Sequence, residues 1–514
     1  MPAVLPPDVL ALFDALRRRP DVEAPELVAV DAADRLVLVE ARGLLAAAGQ
    51  GDVAVLDDDY GALALGALAL GAPDVRVATD TVTSERAILL NAADVAASGV
   101  ADLGASFVVN RLTVHAPLDP AVVSGARVVL ARLPRSLDAL AELADLVADH
   151  AAPDVVLLAT GRLKHMSRGM NGVLAARFGE VTATRAHGKA RALVARRPVA
   201  SRAGLVAFPR RARIDIPAGA GVTRADGSGT RDTVRLEVPA VAHEGGARGT
   251  LPLRPPAGAH GAGTGGTVPL VVVAHGAAFA GTTLDIGTRA LLDVLDGLVR
   301  AVLAQRRGTV DGAEPSGSTA WSRRPAATTT GPTSTTSDAA APAAANPAAS
   351  HSAASPPASF ASGASPSAAA PLRVLDLGCG TGVLATVVAL RVPDASVVAT
   401  DRSAAAVLSA AATADANGVG DRVTTLRDDA AASVPDGSVD IVVCNPPFHV
   451  GTAVSTDIAE AMFRAAARVL RPGGELWVVW NSHLCYRPSL ERVVGPTTQV
   501  SRTPKFTVTR SVRR

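Results

Sequence analysis

The stretch VLDLGCGTGVLA, residues 374–385, determines the fold we expect for this chain. Its apolar start predicts a buried strand that ends near Asp376. Gly378, Gly380 and Gly382 follow at alternate positions, where glycines let the backbone turn tightly and approach a ligand closely. The apolar residues after them predict a helix, whose first N–H groups are free to bind an anion such as a carboxylate.

An acid stands at the distance from this loop that a nucleoside site requires. Asp401 ends the next predicted strand, ASVVATD, 21 residues after Gly380, where its carboxylate can accept hydrogen bonds from both hydroxyls of a ribose. The glycine spacing differs from the G-x-G-x-x-G of dinucleotide enzymes. DLGCGTG instead resembles the first motif of class I methyltransferases, which bind S-adenosylmethionine (SAM). The resemblance implies that the glycine loop binds this cofactor, that Asp376 faces its methionine amino group, and that Asp429 meets its adenine amine, although Asp428 is adjacent.

Strand-like and helix-like segments alternate through the rest of the C-terminal region. The predicted helices cover residues 383–391, 403–416 and 456–470, and the predicted strands include RVTTLRDD, VDIVVCNPPF, GGELWVVW and KFTVTRSV. This alternation predicts an α/β fold with a mostly parallel, doubly wound sheet.

A second motif lies in IVVCNPPFHV, residues 441–450. The buried strand must end at Asn445, because Pro446 and Pro447 cannot continue a central strand. An amine that attacks a methyl group gains positive charge, and two acceptors at its hydrogens stabilise that charge. The Asn445 side-chain oxygen and the Pro446 carbonyl are the predicted acceptors, and Phe448 is predicted to stack on a planar substrate.

The remaining reactive side chains add little to this site. His449 is more often a packing residue after such a turn than a contact for phosphate or base. Cys379, Cys444 and Cys485 lack metal-ligand spacing and are too few for a disulfide framework, which predicts a reducing compartment and no metal. No signal peptide is visible, and the longest apolar run, residues 61–72, is too short to cross a bilayer. We therefore expect a cytoplasmic protein with no membrane contact.

The flanking residues separate several enzyme classes that share the motif. NPPFH, the following helix, a late KF, and FAGTTLDIGTRALLDVL at residues 279–295 resemble the bacterial ribosomal RNA N2-guanine methyltransferases: the small-subunit methyltransferase C type and its large-subunit relative. The resemblance implies methyl transfer from SAM to a guanine N2 amine in ribosomal RNA, either naked or in a ribosomal subunit. A protein glutamine or DNA N6-adenine methyltransferase is the alternative. A binding module without activity is a third possibility, against which the intact NPPF argues.

The N-terminal half repeats this plan without its site. VAVLDDDYGALAL, residues 53–65, parallels the glycine-loop stretch, but Asp57 and Asp59 replace its first two glycines, and Arg132 stands in place of Asn445. Two carboxylates there would fill the ligand space and repel the methionine carboxylate. We expect a duplicated domain that kept its fold, as in the ribosomal RNA methyltransferases that the chain resembles.

Basic residues indicate RNA as the partner. Residues 177–213 contain ten Lys or Arg and one acid, and residues 461–514 contain ten and two. Two basic patches at equivalent places of a duplicated fold suit phosphate contacts.

The predicted fold is two tandem Rossmann-like class I methyltransferase domains joined through a long disordered linker. The predicted parts are a degenerate, RNA-binding domain at 1–200, a loop-rich connector at 201–268, a lead-in segment packing on the catalytic domain at 269–305, a disordered Ala/Ser/Pro/Thr linker at 306–371 and the catalytic domain at 372–514.

Overall fold

The structure, a computed structural model, describes residues 5–24, 27–100, 110–200, 207–217, 267–309, 371–447 and 452–514. Almost all of the predicted linker and most of the predicted connector lie outside these residues. Residues 5–299 and 371–514, where described, belong to one compact unit.

The N-terminal part contains six helices and seven strands among its described residues. The helices are α1 (Pro7–Ala15), α2 (Ala32–Ala46), α3 (Ala62–Ala69), α4 (Val82–Ser98), α5 (Leu137–His150) and α6 (Arg168–Ala175). The strands are β1 (Val53–Leu56), β2 (Val75–Ala78), β3 (Leu112–Val114), β4 (Val128–Arg132), β5 (Val156–Arg162), β6 (Phe178–Ala183) and β7 (Ala190–Pro198). Two 3₁₀ turns lie at Pro120–Val122 and Leu163–His165.

A two-stranded ribbon and a long helix follow. The ribbon pairs β8 (Arg210–Pro217) with β9 (Thr267–Ala274) in antiparallel fashion, and the helix is α7 (Ile286–Thr309). The C-terminal part contains helices α8 (Val383–Arg391), α9 (Ala404–Ala416), α10 (Thr452–Val469) and α11 (Arg487–Val493). Its strands are β10 (Leu372–Leu377), β11 (Ala395–Asp401), β12 (Val423–Arg427), β13 (Val439–Cys444), β14 (Leu470–Asn481), β15 (Thr497–Arg502) and β16 (Phe506–Val512).

Both seven-stranded sheets have the same strand order. It is β3-β2-β1-β4-β5-β7-β6 in the first and β12-β11-β10-β13-β14-β16-β15 in the second. The first five strands in each order are parallel, and the sixth strand pairs antiparallel with both of its neighbours. Every residue of β1 and of β13 is buried, as expected for parallel strands that helices cover on both faces. The prediction of two tandem Rossmann-like domains is confirmed.

Two predicted boundaries differ from the structure. Residues 210–217, inside the segment predicted as loops, form a strand, because Ala212, Ile214 and Ile216 alternate with charged residues at the period of a strand. Residues 306–309, assigned to the linker, continue helix α7. The run of Leu, Ala, Gln and Arg before them consists of strong helix formers.

The β9 strand attaches the ribbon to the C-terminal part through side chains of helix α9. The backbone N–H of Val273 donates to the Thr413 hydroxyl at 3.0 Å, and the N–H of Val271 donates to the Asn417 amide oxygen at 3.1 Å. Helix α7 is attached to the same part by an ion pair between Asp296 and Arg391. The strand and the helix therefore fix both ends of the segment between them, residues 275–285.

The two sheets meet through equivalent helix starts. The N–H of Ala404 donates to the Asp80 carbonyl at 2.9 Å, and the N–H of Val82 donates to the Arg402 carbonyl at 2.9 Å. The Asp80 carboxylate also accepts from the N–H of Ala405 at 2.9 Å. Each domain thus satisfies N–H groups that the first turn of the other domain's helix leaves unpaired.

Within the described residues, no helix has the length and apolar character needed to cross a membrane. The same part of the chain contains no cluster of three or more His, Cys, Asp or Glu arranged to hold a metal ion.

Candidate active site

A cavity of about 590 Å³ opens at the carboxyl ends of β10, β11 and β13. Ligands of open α/β sheets bind at this edge, and the volume is typical of a small-molecule site. Of the predicted site residues, the cavity wall contains Gly378, Gly380, Asp401, Asp429, Asn445, Pro446 and Pro447. Asp376 and Gly382 are not part of this wall, and Phe448 and His449 lie outside the described residues.

The three loop glycines have different surroundings. All have positive φ, at 78° for Gly378, 51° for Gly380 and 73° for Gly382, which is the region that favours glycine. A Cβ at Gly382 would lie 2.7 Å from Cα of Ala410 in α9, so this glycine serves helix packing. A Cβ at Gly380 would meet no protein atom within 4 Å. The open space of the loop is therefore beside Gly380.

Asp376 lies behind the loop, with only 1% of its surface exposed. Its carboxylate accepts a hydrogen bond from the N–H of Ala385 at 3.0 Å, in the first turn of α8. Burial raises the pKa of Asp376 to about 7, and the nearby Asp401 carboxylate adds to the rise. At least one of its oxygens therefore holds the helix start, a role that its place in the motif did not reveal.

Asp401 joins the glycine loop to the second strand. One carboxylate oxygen accepts from the N–H of Gly380 at 3.0 Å, and the other accepts from the N–H of Ser403 at 3.0 Å. Burial raises the pKa of Asp401. Each carboxylate oxygen can accept more than one hydrogen bond, so lone pairs remain for ligand hydroxyls.

The neighbours Asp428 and Asp429 are separated by their contacts. The buried Asp428 carboxylate accepts from the N–H of Asp429 at 2.8 Å, and from the N–H and hydroxyl of Ser433 at 2.7 and 2.6 Å. The half-buried Asp429 carboxylate has no hydrogen bond to any described residue. Its burial raises the pKa of Asp429. Of the two acids, Asp429 is therefore the one with a carboxylate available to a ligand.

Asn445 is held by one end of its amide. Its Nδ2 donates to Asp285 Oδ2 at 2.9 Å and to the Thr288 hydroxyl at 3.2 Å. Its Oδ1 is buried and has no hydrogen-bond partner among the described residues. A buried acceptor without a partner is costly, which indicates that a ligand donor completes it.

Asp285, Thr288 and Phe279 were not predicted as site residues. All three line the cavity and belong to the stretch at 279–295, whose significance in the sequence lay only in its family resemblance. The Phe279 ring is unusual for an aromatic residue in being 63% exposed. The signal in the sequence was an acid at the N-cap position, with a glycine and a threonine in the first turn of the helix after it.

The N-terminal domain contributes to the wall of the same cavity. Pro20, Asp21, Val22, Thr83 and Arg135 line it together with the C-terminal residues. The sequence predicted the cavity from the C-terminal domain alone.

Arg427 lies at the junction between the two domains. It donates to the carbonyls of Thr79 at 2.8 Å and Asp80 at 3.2 Å, and it pairs with Glu85. The cavity is therefore bounded by two domains that are bonded to each other beside it.

The equivalent place in the N-terminal domain is occupied by its own side chains. Asp57, with φ of 56°, has the left-handed backbone that Gly378 has in the other copy. Strand register places Arg132 where the other sheet has Asn445. Arg132 pairs with Asp34 at 2.6 Å, Asp59 at 3.2 Å and Asp31 at 3.5 Å. In the N-terminal domain, ion pairs between its own side chains therefore occupy the position of the ligand cavity in the C-terminal domain.

The buried cysteines are poor nucleophiles. Burial raises the pKa of both Cys379 and Cys444, so their thiols stay protonated.

Comparison with known proteins separates the same two parts of the chain. Residues 366–510 match the methyltransferase small domain family, and residues 11–199 match the RLMG N-terminal domain family. A ribosomal RNA large subunit methyltransferase G of Streptomyces coelicolor is 50% identical over 27% of this chain, and the match spans 37% of that relative. The protein of the same name from Pseudomonas aeruginosa UCBPP-PA14 is 29% identical over 96% of both chains.

One solved structure is similar along almost the whole length. It is a T. thermophilus 16S rRNA N2 G1207 methyltransferase in complex with AdoMet and guanosine, with a TM-score of 0.53 and 18% identity over 92% of each chain. At this identity the likeness establishes the fold. Together, the relatives confirm the predicted resemblance to ribosomal RNA methyltransferases with a separate N-terminal domain.

Proposed function

We propose that this chain transfers a methyl group from SAM to the exocyclic N2 amine of a guanine in ribosomal RNA. The observation that carries the proposal is the buried oxygen of Asn445, which has no hydrogen-bond partner among the described residues and belongs to a residue in the wall of the cavity that the glycine loop also lines. The domain bounds proposed with it are 1–200 for a degenerate RNA-binding domain and 372–514 for the catalytic one.

The cavity fits SAM in chemistry and size. The open space beside Gly380 leaves room for the methionine part, and the remaining lone pairs of Asp401 suit the ribose hydroxyls. The free carboxylate of Asp429 suits the adenine amine. When bound, SAM supplies a methyl group on a positively charged sulfur.

The protein's part in the reaction is to orient and stabilise the amine. Asn445 Oδ1 accepts one hydrogen of the amine, and the Pro446 carbonyl accepts the other. As the nitrogen forms its bond to the methyl carbon, the carbon–sulfur bond breaks and its electron pair stays on sulfur. The nitrogen gains positive charge, which the two acceptors stabilise, and it then loses a proton to water. The acceptors matter most as this charge develops.

Features at the mouth of the cavity suit a nucleotide. The exposed Phe279 ring offers a surface on which a base can stack, and Phe448 is proposed to do the same. Arg135 of the N-terminal domain and Lys505 of the C-terminal domain both line the mouth and can contact phosphate. The relatives matched along 96% of the chain carry ribosomal RNA methyltransferase names, which favours RNA over protein glutamine or DNA adenine.

Nucleoside mass spectrometry tests the substrate. Ribosomal RNA from cells lacking this protein, either naked or in assembled subunits, is incubated with the protein and labelled SAM, then digested. We expect the label in N2-methylguanosine. DNA and protein from the same cells are incubated in parallel, and label in N6-methyladenine or in methylglutamine, with guanine unlabelled, would support the alternative enzyme classes.

The Asn445→Ala variant tests the mechanism on the same RNA. We expect kcat to fall by roughly a hundredfold or more, because one acceptor at the developing charge is lost. SAM affinity, measured by calorimetry, should stay close to that of the unmodified protein. An unchanged kcat would refute the role of Asn445.

A further inference from the structure

We propose that Asp285 and Thr288 are positioning residues that fix the direction of the Asn445 amide, so that its oxygen and not its NH₂ group faces the reacting amine. This inference rests on the proposed function. An asparagine side chain is nearly symmetric in shape, and rotation by half a turn exchanges its acceptor and its donor. With NH₂ toward the substrate, Asn445 would meet the hydrogens of the amine with hydrogens of its own.

The contacts at Asn445 select one of these two orientations. An ionised carboxylate accepts hydrogen bonds and donates none, so Asp285 Oδ2 at 2.9 Å requires the Nδ2 end. The Thr288 hydroxyl accepts from the same nitrogen at 3.2 Å. Both hydrogens of the amide thus have acceptors at the start of helix α7, and Oδ1 keeps its lone pairs for a ligand donor. Turning the amide over would break both bonds and set its oxygen against a carboxylate.

Asp285 is itself fixed by the start of helix α7. Its Oδ2 also accepts from the N–H of Gly287 at 2.8 Å and from the N–H of Thr288 at 3.1 Å. Its carbonyl accepts from the N–H of Arg289 at 2.9 Å. The carboxylate is therefore an N-cap, and its hydrogen bonds to the helix start fix its rotamer independently of Asn445. A side chain held in this way is suited to holding another.

Gly287 brings the helix close enough for these bonds. A Cβ at this position would lie 2.8 Å from Asn445 Oδ1 and 3.0 Å from Asp285 Oδ2, closer than side chains pack. The first turn of α7 can therefore approach Asn445 only with glycine at this position.

The arrangement also strengthens the acceptor. A hydrogen bond from Nδ2 to a carboxylate polarises the amide toward its oxygen, and hydrogen bonds in such chains reinforce one another. Asp285 thus acts on the reaction through Asn445.

Three substitutions at Asp285 separate positioning from helix capping. Asp285→Asn keeps an acceptor oxygen of the same reach, and we expect a kcat within about threefold of the unmodified protein. Asp285→Ser still caps the helix, but its hydroxyl is one bond shorter and cannot reach Asn445. We expect its kcat to fall about tenfold or more, with little change in unfolding temperature or SAM affinity. Asp285→Ala removes both the helix cap and the contact with Asn445, and it should lower both kcat and the unfolding temperature.

At position 288 the conservative variant serves as the matched control. Thr288→Val removes the hydroxyl at almost constant volume and should lower kcat severalfold. Thr288→Ser retains the hydroxyl and should restore most of that loss. All rates are measured at saturating concentrations of RNA from cells lacking the protein, so that a change in KM does not alter them.

The closing experiment is a double-mutant cycle between Asp285→Ser and Asn445→Ala. If Asp285 acts through Asn445, the double variant should be no slower than Asn445→Ala alone, within about twofold. Losses that multiply would overturn the inference, as would full kcat in Asp285→Ser. Full kcat in Asn445→Ala would instead overturn the proposed function, so the two failures are distinguishable.

Discussion

Replacing Gly287 with alanine should slow catalysis without unfolding the protein. The added methyl would lie 2.8 Å from Asn445 Oδ1 and 3.1 Å from its Nδ2, whereas ordinary contact begins at 3.4 Å. The amide must therefore move by about 0.6 Å, since a helix backbone yields less easily than the end of a side chain. A displacement of about 1 Å can cost roughly a hundredfold in rate, so we expect a loss of about tenfold in kcat.

Gly297→Ala is the matched control for this substitution. Gly297 lies in the same helix, and a Cβ there meets no protein atom within 4 Å. Both variants remove a helical glycine and should gain up to about 1 kcal/mol in the free energy of unfolding, less the cost of the displaced amide at Gly287. Only Gly287→Ala should lose kcat, measured by methyl incorporation under saturating RNA and SAM. Equal rates in the two variants would refute the steric argument.

Four further outcomes follow from the site and its degenerate copy. Asp401→Ala should weaken SAM binding at least tenfold by calorimetry, because the ribose hydroxyls lose their acceptor; unchanged affinity would exclude this cofactor site. The full chain should bind one SAM, and a stoichiometry of two would contradict the loss of the N-terminal site. Burial raises the pKa of Asp376 from 3.8 to about 7, so the folded state binds the proton more tightly and loses stability as pH rises between those values. Without SAM, the free energy of unfolding of the unmodified protein should therefore fall between pH 5 and 7 by about 2 kcal/mol more than that of Asp376→Asn. Equal pH slopes in the two proteins would disprove this. Arg132→Ala should cost about 3–5 kcal/mol in urea unfolding by leaving the buried Asp34 unpaired, and Asp34→Asn in that background should recover much of it.

The sequence predicted those parts of the fold and site that are local. The alternation of apolar strands with helices predicted both sheets, and the predicted helix 383–391 has the same ends in the structure. The glycine loop and Asp401 also come together as expected, because consecutive strands of a parallel sheet place their carboxyl ends side by side.

Contacts between distant segments were not predictable in this way. Asp285 and Asn445 are 160 residues apart, and no sequence pattern around either residue predicts their contact. Thr83 and Arg135 reach the cavity because the two domains are docked, which depends on surface bonds such as that of Arg427 to Glu85. Asp376 was placed by its motif, but its hydrogen bond to Ala385 required the helix geometry.

The contact between the two domains has a consequence for synthesis. The Asp80 carboxylate and the Ala405 N–H that it accepts from are 325 residues apart in the chain. At roughly 5–20 residues per second, the ribosome needs about 15–65 s to reach the second after the first. During that time the first domain must fold with its contact surface facing water. The exposed bonding groups of the surface are the N–H of Val82, the carbonyls of Thr79 and Asp80, and the Asp80 carboxylate. Water can satisfy all of these, so the nascent domain can wait for its partner without leaving a polar group of this surface unpaired.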